Sequence, residues 1–384
     1  LLAVFVAGLV FSAGWACTRP AQPARLRATV SVAGELRGAG EGYARATEPR
    51  TFSFPADHGP HPDYRTEWWY YTGNLESPEK RHFGFQLTFF RVALAPHLLP
   101  RQSAWATNQM YMAHFAVTDV ASGRFYTFER FSRGALDLAG AQAQPFRVWL
   151  EDWVAEAKDE GALPVRLRAA EGDVAIDLIL DSAMAPVLQG SEGLSQKGPE
   201  PGNASYYYSF TRMSAAGTVR IEDQRFAVQG LAWMDREWST SALGPDLTGW
   251  DWFAVQLSNG QDLMFYRLRR QDGSTDPFSA GLLVRNDGST RRLGPADVVL
   301  EPRGYWQSSP GGARYPVRWR LRVPTEGLDL EITPYLPDQE LDLSVRYWEG
   351  AVRVQGMQSG QAVTGSGYLE LTGYAEARSE VGRR

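Results

Sequence analysis

Residues 228–239 read V-Q-G-L-A-W-M-D-R-E-W-S, and the rest of the chain arranges itself around them. Read as a β-strand, the run alternates with period two. Trp233, Asp235 and Glu237 then share one face, and Gly230, Met234, Arg236 and Trp238 share the other. Two carboxylates and an indole therefore point the same way. A carboxylate against apolar aromatic surface is disfavoured in its charged form, so its pKa rises and it can deliver a proton near neutral pH. The same Asp-Arg-Glu pattern also fits a salt-bridged strand end without chemistry.

Working outward, strand-like runs rich in aromatic and β-branched residues cover 83–92, 110–119, 125–131, 146–153, 164–169, 174–180, 206–213, 217–221 and 226–238. Turn signals such as Glu171-Gly172-Asp173 separate them. Many short strands joined by tight turns predict an all-β sandwich or antiparallel barrel. The second half repeats this order. Trp250-Asp-Trp252-Phe253 lies on Trp68-Trp-Tyr70-Tyr71, and each leads through an aromatic strand to an Arg, Arg91 or Arg269. Asp329-Leu330 lies on Asp177-Leu178, and the run from Val363 to Glu370 lies on that from Val228 to Asp235. The collinear order predicts a tandem duplication of one barrel-like unit, joined near 239–248. The two domains expected are 51–238 and 239–384, each large enough for a barrel whose interior holds one small ligand.

The composition agrees. Of the 384 residues, 43% are hydrophobic and 22% charged, which suits a folded chain, and a net charge of −5 offers no basic field, which argues against nucleic acid as a partner. Thirteen Trp, sixteen Tyr and eighteen Phe fit β-structure. Residues 1–17 resemble a signal peptide, with an apolar run of secretory length before Cys17. Gly14-Trp15-Ala16-Cys17 partly matches a bacterial lipoprotein box, with Trp15 and Gly14 as the departures. Cys17 is accordingly a candidate for lipidation and membrane anchoring, beside a plain signal peptide or a buried structural Cys. Either exported form places the protein in the bacterial periplasm or on a membrane facing it, within reach of envelope transport machinery. Residues 18–50 have few large apolar side chains and read as a flexible tether.

Five segments together resemble the AttH/CrtC-like family: H-P-D-Y-R-T-E-W-W-Y-Y-T-G-N-L (61–75), F-G-F-Q-L-T-F-F-R (83–91), Y-M-A-H-F-A-V-T-D (111–119), Y-Y-S-F-T-R (207–212) and A-W-M-D-R-E-W-S (232–239). The resemblance spans about 52–374. It implies two tandem lipocalin-like antiparallel β-barrel domains and an activity like that of carotenoid 1,2-hydratases, or of secreted relatives labelled predicted hydrolases. The export leader favours the secreted branch.

Alkene hydration, the activity so implied, needs a strong acid, a surface that stabilises a tertiary cation, and a positioned water. Asp235 is the candidate acid, and Glu237 a base or the group that keeps Asp235 protonated. Trp233, Trp69 and Tyr71 are candidate aromatic faces for the cation and the ligand, and ordinary core packing is their alternative role. Glu67 shares a face with Trp69 and Tyr71 and needs a partner, for which Arg91 or Arg236 serves. A ligand role and a buried ion pair both remain open for it. His114 falls on the face of Met110 and Met112, as a proton shuttle or a structural residue. No metal and no cofactor is expected: Asp57, His58, His61 and Asp63 sit in a Pro-rich loop that no further ligands complete, and no Gly-x-Ser-x-Gly elbow supports a serine hydrolase. The expected partner is a hydrophobic, isoprenoid or lipid-like molecule near the interface of the barrels. A non-catalytic carrier of such molecules is the alternative.

Overall fold

The computed structural model describes residues 40–97, 102–241, 243, 244, 246–309 and 312–375. The leader, Cys17 and residues 18–39 of the expected tether lie outside the described residues. Two antiparallel sheets follow one another along the chain. The first holds β1 (Thr66–Glu76), β2 (His82–Ala93), β3 (Gln109–Asp119), β4 (Arg124–Arg133), β5 (Ala139–Ala143), β6 (Phe146–Leu150) and β7 (Trp153–Ala157). It continues with β8 (Val165–Glu171), β9 (Val174–Asp181), β10 (Val187–Leu188), β11 (Leu194–Gln196), β12 (Ala204–Ile221) and β13 (Gln224–Ser241). The second holds β14 (Leu247–Leu257), β15 (Asp262–Arg270), β16 (Ala280–Val284), β17 (Thr290–Leu293) and β18 (Val299–Gln307). It ends with β19 (Arg314–Val323), β20 (Leu328–Pro334), β21 (Glu340–Asp342), β22 (Arg346–Gln358) and β23 (Gln361–Leu371).

Each sheet is a barrel opened along one seam. The first runs β4-β3-β2-β1-β13-β12-β9-β8-β7-β6-β5, so its two edges are consecutive strands, and the second runs from β17 round to β18 in the same way. Strand twist curls such sheets until their edges approach. Across the first seam Arg130 of β4 bonds Glu171 at 2.8 Å and lies 4.5 Å over the Trp153 ring. The chain is thus all-β, two tandem lipocalin-like antiparallel barrels.

The internal repeat is visible in the register. Tyr70 of β1 lies between Thr88 and Asp235, as Trp252 of β14 lies between Tyr266 and Glu370. Arg166 grips Asp177 with two bonds of 2.8 and 2.6 Å, and Arg320 grips Asp329 with two of the same lengths.

Some local expectations need correction. Residues 146–153 form the hairpin β6–β7 instead of one strand, because Glu151 turns the chain at a φ of 57°. Residues 206–213 and 217–221 merge into β12, which a register shift between Phe210 and Met213 bends without breaking. Residues 40–50, read as tether, pack on the first barrel. Ala46 is buried in its core, Ala44 N–H donates to Asp63 at 2.8 Å, and the Tyr43 hydroxyl donates to the Ala93 carbonyl at 2.8 Å.

Large side chains fill the barrels. Trp69, Phe85, Phe115 and Trp153 pack inside the first, and Phe253, Trp319 and Trp348 inside the second. A void within the first barrel, lined by His58, Tyr71, Phe146 and Met234, measures about 10 Å³, room for one water at most. Aromatic side chains therefore occupy the interior that the sequence reading left for a ligand.

The barrels meet through β1, β2, β12 and β13 on one side and β14, β15, β22 and β23 on the other, around Tyr70, Tyr207, Trp233, Trp252, Met264 and Tyr368. Two hydrogen bonds cross this junction reciprocally. Asn74 Nδ2 donates to the Gly367 carbonyl at 3.0 Å, and Gln256 Nε2 to the Ala232 carbonyl at 3.0 Å. Asn74 and Gln256 are matching positions of the repeat, and so are Ala232 and Gly367. Gly84 is required for close approach, since a Cβ there would stand 2.5 Å from Ala351 Cβ.

Candidate active site

Between the barrels lies a cavity of about 310 Å³. Its walls are apolar and aromatic: Trp68, Tyr70, Phe90, Met110, Met112, Leu243, Trp250, Trp252 and Leu268. Leu94 and Phe131 line it while remaining 65% and 48% exposed, which marks them as its rim. Among the described residues four carboxylates face into it besides Glu67 at its edge: Asp235, Glu237, Glu349 and Glu370.

Strand alternation explains this concentration. Asp235 and Glu237 come from the outer face of β13, while Met234, Trp238 and Arg236 turn inward. Glu349 and Glu370 are paired directly across β22 and β23, where side chains on one face stand about 5 Å apart. By the internal repeat, Glu370 is the counterpart of Asp235.

Asp235 accepts three hydrogen bonds: from Ser209 Oγ at 2.5 Å and Trp233 Nε1 at 2.7 Å on Oδ1, and from Tyr207 Oη at 2.6 Å on Oδ2. Trp252 Nε1 in turn donates to Tyr207 Oη at 3.3 Å. Burial pushes the Asp235 pKa up to about 7, although these three donors pull it down, and the nearby Glu237 charge adds to the rise. Burial likewise pushes Glu370 up to about 8. Glu349 is raised by burial first and then by Glu370, and Gln86 Nε2 donates to its Oε2 at 2.7 Å. Glu237 accepts from Ser205 Oγ, and Lys197 Nζ lies 3.5 Å away.

The remaining sequence candidates lie elsewhere. Trp69 and Tyr71 face the interior of the first barrel, because Trp69 pairs with Arg236 and not with an outward residue of β13. Both are fully buried there, so they do not share a surface with Asp235. Glu67 and Arg236 form an inner staple. Arg91 and Arg236 both bond the Glu67 carboxylate, His61 N–H donates to it at 3.0 Å, and the Arg236 guanidinium lies 4.0 Å over the Trp69 ring. Burial alone would raise the Glu67 pKa, but the two guanidiniums outweigh it and hold the carboxyl far below the usual range. His114 sits behind the cavity wall, its Nδ1 2.8 Å from Tyr347 Oη and its Nε2 3.2 Å from Glu129. Asp57, His58 and His61 of the Pro-rich loop bond Arg50, Tyr208 and Asp57 respectively. Sequence reasoning passed over Tyr207, Trp252, Lys197, Glu349 and Glu370. The repeat alignment already placed Glu370 on Asp235, and that was the available signal.

A family model described as AttH-like matches residues 45–374. The chain belongs to the AttH-like family. A crystal structure of an AttH protein from Nitrosomonas europaea is 36% identical, with a TM-score of 0.77 over 86% of this chain and 100% of that one. Kievitone hydratase from Nectria haematococca shares the fold at 15% identity and a TM-score of 0.66, covering 87% of this chain and 97% of that one. CghA, solved with Sch210972, shares it at 14% identity and a TM-score of 0.53, covering 88% and 98%. No curated protein matches the sequence. In this AttH-like protein the family match covers both barrels and hence every residue that lines the cavity.

Chemically, the arrangement offers carboxyl groups that hold protons near neutral pH, aromatic faces able to stabilise a cation, and a largely apolar enclosure.

Proposed function

We propose that this protein binds an apolar, isoprenoid- or lipid-like molecule between its barrels and adds water across a carbon–carbon double bond by acid catalysis. The observation that carries this is the Asp235 carboxyl group, held by Tyr207, Ser209 and Trp233 in the aromatic wall of the cavity with its pKa pushed up to about 7. The acid gives its proton to one alkene carbon, and the π pair forms the new C–H bond. The cation left on the more substituted carbon rests against Trp68, Trp250 and Trp252. Water adds to that carbon, and Glu237 takes the proton the water loses before it re-equilibrates with Asp235. One alkene and one water give one alcohol. The name of kievitone hydratase states a hydration for a protein of this fold, which supports the reading.

The cavity is at the small end of ligand sites. It takes a compact apolar group, or one end of a longer chain whose remainder leaves past Leu94 and Phe131. Export and lipid anchoring at Cys17 belong to the same proposal. Loss of fatty-acid labelling in Cys17→Ser supports the anchor, and unchanged labelling removes it.

A carrier reading is favoured by one observation, the three donors that already occupy both Asp235 oxygens. The two readings part in labelled water. The molecule that co-purifies with the protein, incubated in H₂¹⁸O, should gain one labelled water with the wild type and none with Asp235→Asn, while staying bound to both. A bound molecule that never gains label leaves the carrier.

A further inference from the structure

Lys197, in the turn after β11, lines the cavity and is only 8% exposed. Its backbone N–H is fixed to the Asn203 carbonyl at 2.7 Å. Its ammonium has loose surroundings: Glu237 Oε1 at 3.5 Å, the Tyr266 ring centre at 3.8 Å and the Tyr207 ring centre at 5.4 Å. Ion pairs that tie this molecule together are much tighter, as in Arg212–Asp262 at 2.5 Å or Arg166–Asp177 at 2.6 Å. The oxygens around Lys197 are also engaged. Ser205 donates to Glu237 Oε1, and Ser195 Oγ lies 3.0 Å from Tyr266 Oη. An ammonium has three donors, and a charge-assisted bond normally closes to about 2.8 Å. Glu237 and the Tyr266 hydroxyl take at most two of the three donors, so at least one N–H of a buried cation is left uncommitted on the cavity side.

We propose that Lys197 recognises an oxygen atom of the ligand, so that the cavity selects an oxygenated lipophile, a molecule with a carbonyl or hydroxyl oxygen on an apolar body, over a plain hydrocarbon. This rests on the reading of the cavity as a ligand site. A neutral oxygen fits better than a carboxylate. Glu237 already balances the ammonium, so a bound carboxylate would bring an uncompensated negative charge into an apolar cavity. The contact also sets the position of the ligand relative to the acid. Tyr207 stands between the two groups, its hydroxyl on Asp235 at 2.6 Å and its ring beneath Lys197.

Calorimetric titration of the full chain with benzophenone, diphenylmethane and diphenylacetate tests this, because the three share an apolar skeleton and differ in carrying a carbonyl, no oxygen or a carboxylate. Benzophenone should bind at least about tenfold more tightly than the other two. Lys197→Met should erase that preference without weakening diphenylmethane. That variant leaves Glu237 buried beside a thioether, so the double variant Lys197→Met/Glu237→Gln, which buries no unpaired charge, should show the same loss. If ketone and hydrocarbon bind alike and Lys197→Met changes neither, the assignment of Lys197 is wrong and the cavity reading stands. Tightest binding by diphenylacetate overturns the neutral oxygen. If none of the three binds, the cavity is not a ligand site and both readings fall.

Discussion

At Asp235 two opposing effects meet on one carboxyl: burial raises its pKa, and three donors lower it. With the value at about 7, the protonated fraction falls tenfold per pH unit above neutrality, and kcat/KM for hydration should fall with it. A pH–rate profile flat to pH 9 would remove Asp235 as the donor. Stability moves in the same sense. Between about pH 4 and 7 the folded chain holds a proton at Asp235 that the unfolded chain has lost, so stability declines as pH rises across that window. Denaturant titrations should show Asp235→Asn flattening that decline. Glu67 has the opposite sign: its lowered pKa stabilises the fold above the usual carboxylate range, and this is lost as acid protonates it. Glu67→Gln leaves Arg91 and Arg236 buried around a neutral group and should cost about 3–5 kcal/mol by urea unfolding. A cost under about 1 kcal/mol would show that the staple is not structural.

At the scale of the strand, alternation along β13 and along β1 can be read from the sequence, but the relation between them cannot. Period two fixes which residues share a face within one run, and only the pairing register decides which faces of two runs coincide. Trp69 and Tyr71 were grouped with Asp235 for want of that register, whereas Trp69 pairs with Arg236 and Tyr70 with Asp235. The β6–β7 hairpin was illegible for a local reason, since its turn uses Glu151 at positive φ and no Gly or Asn announces it. Lys197 carries no signal in the sequence that separates it from a surface lysine, and only the packing of β11 against β12 buries it. Where β2 crosses β22, Gly84→Leu should force the barrels apart, because its Cβ would meet Ala351. We expect a loss of about 1–3 kcal/mol and a single unfolding transition that splits in two. One unsplit transition at wild-type stability would contradict the tight junction.

For the whole molecule, the duplication was legible because sequence order and spacing survive in both halves, and the matching registers and the Asp177 and Asp329 ion pairs bear out that reading of the fold. The location of space was not legible. Aromatic residues read equally well as barrel lining or as barrel filling, and here they fill both interiors and leave room between the barrels. A cavity near the pseudo-twofold relation of two repeats collects equivalent positions from each, which is why Asp235 and Glu370 face the same volume. Binding by this protein therefore has to take place in the space between the barrels. Met112 lines that space without touching the carboxylates through any hydrogen bond, and Met112→Trp would fill part of it. The decisive measurement is native mass spectrometry of the intact protein purified without detergent, for the wild type, Asp235→Asn and Met112→Trp. We predict one apolar molecule per chain on the wild type and on Asp235→Asn, and none on a folded Met112→Trp. Equal occupancy in all three would contradict the account, because the molecule would then be bound somewhere other than between the barrels.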